Sequence, residues 1–190
     1  MKTYGEIFYQ LSRPISCLFL NHSAGKVYNW KIPSFLTLAT VVFLFFFVGI
    51  NNVLNKAGLI IELSSFISNL PGFLIAALAA IATFNRPIID QEMINAPTIN
   101  VKVGESGIDD MKLTRRDFLL RLFSYLTVLS IFLIIYQKIG FVMPVPEILQ
   151  TSFQIAEWCF IAGYFLFFWQ LLVLLMFGLY YLCERLNLNI

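Results

Sequence analysis

The sequence predicts an all-α membrane protein: four transmembrane helices, both termini cytoplasmic, and small cytoplasmic segments around them. Three observations carry this: a surplus of apolar side chains, four apolar runs of spanning length, and a one-sided placement of lysine and arginine. Of 190 residues, 59% are hydrophobic and only 13% are charged, whereas a soluble domain is about a quarter charged. So few charges leave apolar area that water cannot accept and a bilayer can.

Crossing about 30 Å of hydrocarbon at 1.5 Å per residue takes about 20 helical residues. Four runs meet that length: residues 34–54, 63–84, 118–136 and 155–183. The fourth exceeds one bilayer thickness, so it is expected to tilt or to emerge into the cytoplasm. No cleavable signal peptide is expected, because the first strongly apolar run begins only after Pro33.

Orientation follows from the cations. Residues 1–33 carry Lys2, Arg13, Lys26 and Lys31. The second connection, with the first turn of the third run, carries Arg86, Lys102, Lys112, Arg115, Arg116 and Arg121, and the tail at 184–190 adds Arg185. Only Lys56 and Lys138 fall on the other side, a bias of eleven to two. Cytoplasmic loops hold the Lys/Arg excess, which places both ends and the middle loop inside.

The cytoplasmic pieces are small. In residues 1–33, Tyr4, Ile7, Phe8 and Leu11 recur at helical spacing, giving a short amphipathic helix that Pro14 interrupts. Such a helix lies flat at the headgroups or packs on the middle loop or a partner. In the loop at 85–114, Thr98 to Val103 alternates polar and apolar residues as a short strand does. Gly104 and Gly107 mark a turn after it, with Asp109 and Asp110 as an acidic turn beyond. Thr114 and Asp117 resemble a capping box opening the third run. About 30 residues cannot bury a core alone, so the loop is expected to dock. The candidate docking residues are Tyr4, Ile7, Phe8, Leu11, Ile99, Val101, Val103, Asp109 and Asp110.

The second run carries a packing signal. Ser64, Ser68, Gly72, Ala76 and Ala80 recur every four residues as one ridge of small side chains. Lipid supplies no hydrophobic drive between helices, so close approach across small residues holds spans together. The ridge is expected to be buried against another helix, within the chain or across an oligomer interface. Pro71 is positioned to kink the run, with Ser68 or Asn69 near the freed carbonyl. The first and fourth runs are large and aromatic, which suits lipid contact, and Trp30, Tyr136, Trp158, Tyr180 and Tyr181 fall where an aromatic belt belongs. Lys112, Arg115, Arg116 and Arg121 are expected to contact inner-leaflet headgroups.

Catalytic chemistry finds no foothold. His22 is the single histidine, and Cys17, Cys159 and Cys183 have no metal-ligand spacing. No G-x-S-x-G, H-E-x-x-H or phosphate-loop pattern occurs. Asp90, Glu92, Asp109 and Asp110 are interleaved with cations and read as a solvated surface. No catalytic, cofactor or metal site is therefore expected, nor direct nucleic-acid binding, which would want more basic residues. Glu62 and Glu157 sit at span boundaries rather than within spans, which disfavours a transporter.

Two stretches, GFLIAALAAIATFNRPIID at residues 72–90 and MKLTRRDFLLRLFSYL at 111–126, carry a family resemblance. With the chain length and four-span arrangement, they resemble the membrane-subunit family of the Kiwa anti-phage defence system (KwaA). The resemblance implies a bacterial inner-membrane protein that forms a homo-oligomer, a tetramer in that family. It implies action with a soluble cytoplasmic partner, KwaB, that engages DNA. No catalytic residue belongs to that membrane subunit, so none carries over. The function expected is thus a non-enzymatic membrane scaffold and sensor in antiviral defence that recruits and controls this partner. The alternative is a small oligomeric channel or lysis-type pore.

Overall fold

The computed structural model describes residue 14 and residues 26–54, 58–83, 89–91, 98–103, 107–142 and 150–185. Four helical segments among them are long and apolar enough to cross a membrane: Val27–Val48, Leu59–Thr83, Arg115–Gly140 and Ile155–Cys183.

The first segment is α1 (Ile32–Phe43) flanked by π-helical turns at Val27–Lys31 and Leu44–Val48. It starts and stops earlier than the apolar run at 34–54. Pro33 has no N–H for a regular ladder, and the turn before it is wound wider, with the Ile32 amide donating to the Val27 carbonyl. At the far end Gly49 takes φ 73°, a left-handed conformation that favours glycine, and stops the helix. A short helix, α2 (Ile50–Leu54), follows.

The second segment is two helices in line, α3 (Leu59–Ser68) and α4 (Leu70–Thr83), broken at Asn69 two residues before Pro71. The Ser68 hydroxyl donates to the Ser65 carbonyl at 2.7 Å, and the Asn69 amide reaches the same oxygen at 3.5 Å. These side chains satisfy backbone beside the break, as intramembrane prolines require.

The connection after α4 contains two strands, β1 (Thr98–Val103) and β2 (Gly107–Lys112), paired antiparallel with Thr98 opposite Lys112 and Val103 opposite Gly107. Asp109 and Asp110 are therefore not a turn. They lie inside β2, opposite Val101 and Asn100. Their own preference is against a strand, so the alternating β1 recruits them by pairing. Two residues after β2 the chain enters α5 (Arg115–Val142), and the last long helix is α6 (Gln150–Tyr180), prolonged by a π turn at Tyr181–Arg185.

Side-chain contacts order the segments as first, fourth, third, second. First and fourth are joined by the Trp169 indole N–H donating to the Thr40 hydroxyl at 2.9 Å, and by Phe45 against Trp158 at 5.4 Å. Fourth and third meet through Tyr136 stacked on Phe160 at 4.7 Å and Phe132 edge-on to Phe167 at 5.2 Å. The second segment packs on the third, and the residues it buries are Ile60, Ile67, Leu74 and Ile81, spaced seven apart. Leu119, Leu122, Leu126, Leu129 and Leu133 of α5 are buried at alternating three- and four-residue steps. This is the heptad seam of left-handed helix packing. The first and second segments, packed on one side only, bury least of the four.

Candidate functional site

The strongest constellation of polar side chains lies where the second connection meets α5. Thr114 caps the helix: its hydroxyl accepts from the Asp117 amide at 3.1 Å and donates to the Asp117 carboxylate at 2.8 Å. In the usual capping box the acidic side chain takes the cap residue's backbone N–H; here the shorter aspartate is met by the threonine hydroxyl instead. The next two amides are bonded to the incoming chain, Arg115 to the Gln91 carbonyl at 3.1 Å and Arg116 to the Ile89 carbonyl at 2.9 Å. Ile89 and Leu113 are both buried there.

Arg116 ties three pieces together. Its Nε lies 2.8 Å from Asp90 Oδ1, and one terminal nitrogen donates to Oδ2 at 3.0 Å. The other terminal nitrogen donates to the Ala82 carbonyl at 3.1 Å, at the end of α4. A planar guanidinium is suited to this fork, whereas a lysine ammonium is a point charge without paired coplanar donors. Asp90, read from sequence as solvated surface, is a structural partner.

The four cations expected at headgroups therefore divide. Arg116 is committed to Asp90 and Ala82. Arg115 is buried at 7% exposure, and its Nη1 has no hydrogen-bond partner among the described residues. Arg121 is half-buried, and Lys112 ends β2. The Arg116 side chain meets Asp90 because the segment at 89–91 folds onto the helix start, a contact with no local sequence signature.

Among the described residues, no helix packs on most of the small-residue ridge. Ser64 is half-buried, while Ser68, Gly72, Ala76 and Ala80 are exposed, and a Cβ built on Gly72 would meet nothing within 4 Å among the described residues. The large apolar seam at Ile60 to Ile81 faces α5 instead, since it offers more dispersion contact. Close approach by glycine occurs elsewhere. A Cβ on Gly163 would stand 2.6 Å from the Tyr136 hydroxyl, and one on Gly140 would collide with the Phe160 ring. Of the aromatic belt, Trp30 and Tyr180 are exposed, but Tyr181 is buried against Phe118, 5.4 Å away.

A second group escaped the sequence reading. Thr127, Ser130, Gln137, Tyr164 and Gln170 are polar yet buried in the third and fourth segments. Thr127 and Ser130 are satisfied by the Phe123 and Thr127 carbonyls, each at 2.8 Å. The Tyr164 hydroxyl, Gln137 Oε1 and Gln170 Nε2 have no hydrogen-bond partner among the described residues. The pairing that sets Phe132 beside Phe167 brings Ser130 and Gln170 to the same depth. A glutamine in the middle of FFWQLLV was a visible signal.

Of the candidate docking residues, Tyr4, Ile7, Phe8 and Leu11 lie outside the described residues. Ile99, Val101 and Val103 share one face of β1, and the register places Asp109 opposite Val101. No family model, curated protein or solved structure matches this chain.

Proposed function

We propose that this chain is a non-enzymatic, oligomeric membrane scaffold and sensor in bacterial antiviral defence. Both termini and the connection between the second and third spans face the cytoplasm of the inner membrane. There the hairpin recruits and controls a soluble, DNA-engaging partner of the kind the Kiwa resemblance implies.

One observation supports this reading above the others. Arg116 grips the end of the second span through Ala82 and the connection through Asp90, from the first turn of the third span. A hairpin mounted two residues from that turn has a short path for helix movement to reach it. Sensing would need two arrangements that infection biases differently, and the break at Asn69 before Pro71 offers a place for one helix to bend. The exposed small-residue ridge is the surface on which a second copy packs.

The deciding experiment is purification in mild detergent together with the product of the neighbouring gene, followed by phage challenge of cells carrying both. Association that Asp90→Asn weakens, with protection lost in parallel, supports the proposal. A chain that binds no soluble partner and protects alone or not at all overturns it. A pore is the second reading, favoured by the exposed Ser65, Ser68 and Asn69 on one half of the second span. Single-channel currents from the chain alone would select it, and an electrically silent bilayer would remove it.

A further inference from the structure

We propose that the groove along the fourth span, flanked by Tyr28 of the first, binds an anionic phospholipid, with an acyl chain along the groove and its phosphate at the basic end of the helices. The inference goes beyond the scaffold reading and needs only that the chain crosses a bilayer.

The open groove has a volume of about 570 Å³ and is lined by Leu172, Val173 and Met176, with Trp169 at one end and Tyr28 and Tyr180 at the other. Tyr28 is held in place against Phe177, their rings 5.0 Å apart. Met176 and Tyr180 are exposed, so the groove opens outward toward lipid rather than into the helix layer.

Its length chooses the occupant. From Trp169 to Tyr180 the helix rises about 16 Å at 1.5 Å per residue, roughly half of a 30 Å hydrocarbon core. The hydrogen bond from Trp169 to Thr40 joins the two spans and closes the groove at that depth. A helix from a second copy would continue past this closure. An acyl chain of one leaflet ends there.

Charge chooses the headgroup. Lys26 and Lys31 flank Tyr28 and are exposed, and the turn between them, Val27–Lys31, contains no carboxylate. In the sequence, the end of the fourth span adds one acidic and one basic residue, Glu184 and Arg185, and so no net charge. Lysines at this depth extend their ammonium groups to the phosphate level, and interfacial tyrosines present hydroxyls to the same layer. The net attraction is for an anion.

Trp169 reports on the site. Of the three tryptophans, Trp30 and Trp158 are replaced by phenylalanine, leaving Trp169 as the sole indole. Protein that floats with phosphatidylcholine vesicles is then titrated with tail-brominated phosphatidylglycerol or tail-brominated phosphatidylcholine. Half-quenching is expected at an about tenfold lower mole fraction of the anionic lipid. Lys26→Gln with Lys31→Gln should abolish that preference, and Val173→Phe, which fills the groove, should reduce quenching by both lipids. Equal quenching by the two lipids would mean annular lipid only and overturn the proposal. So would a preference that survives loss of both lysines, or quenching by neither lipid, the mark of a helix in the groove. Native mass spectrometry of the unaltered protein gives an independent reading: retained phosphatidylglycerol supports the site, and none retained refutes it.

Discussion

Arg116 and Asp90 stand 26 residues apart and meet in a two-point contact, 2.8 Å from Nε to Oδ1 and 3.0 Å from a terminal nitrogen to Oδ2. The Arg116 side chain is 22% exposed and that of Asp90 55%, so solvent screens part of the attraction. Asp90→Asn is expected to cost only about 1 kcal/mol in thermal unfolding. Its larger effect should be local: hydrogen exchange at the Arg115 and Arg116 amides should accelerate as the segment at 89–91 detaches. Unchanged exchange would show that the two backbone bonds alone hold it.

Two glycines make a contrast. Gly163→Ala places a methyl against the Tyr136 hydroxyl and should destabilise the packing of the third and fourth spans by about 1–3 kcal/mol. Gly72→Leu adds a larger side chain where no described residue stands within 4 Å, so the thermal midpoint of a detergent-solubilised single chain should hold. If the ridge joins copies, the same change should lower the oligomer mass on a native gel or by mass photometry. Equal stability losses at both positions would contradict the geometry.

Gln170 is 1% exposed, and its Nε2 has no partner among the described residues. A buried polar group without a hydrogen bond costs about 1–3 kcal/mol, so Gln170→Leu should leave the midpoint of thermal unfolding unchanged or raise it. A fall of several degrees would mean that the amide is held by a buried water, and that the water is part of the fold.

The proposed orientation is open to direct labelling. A cytoplasmic reporter fused after Ile190 should be active, and so should one inserted at Gly104. Cys159, exposed near the far end of the fourth span, should react with an impermeant maleimide added outside spheroplasts. Activity of an outward-only reporter at either fusion point would reverse the model.

Sequence alone determined that four segments can cross a bilayer, because membrane solvation is read from local length and apolar content. It also located β1 and the threonine cap of α5, since alternation and capping are set by residues a few positions apart. Tertiary structure decided which faces those helices use. Burial went to the seven-residue seam of Ile60, Ile67, Leu74 and Ile81, leaving the small-residue ridge outside, because bulk apolar side chains make more contact with α5 than alanine and glycine can. Tertiary structure also joined Arg116 to Asp90 and placed Asp109 and Asp110 within a strand. Those outcomes depend on groups far apart in the chain, and the energy that joins them exists only once the chain has brought them together.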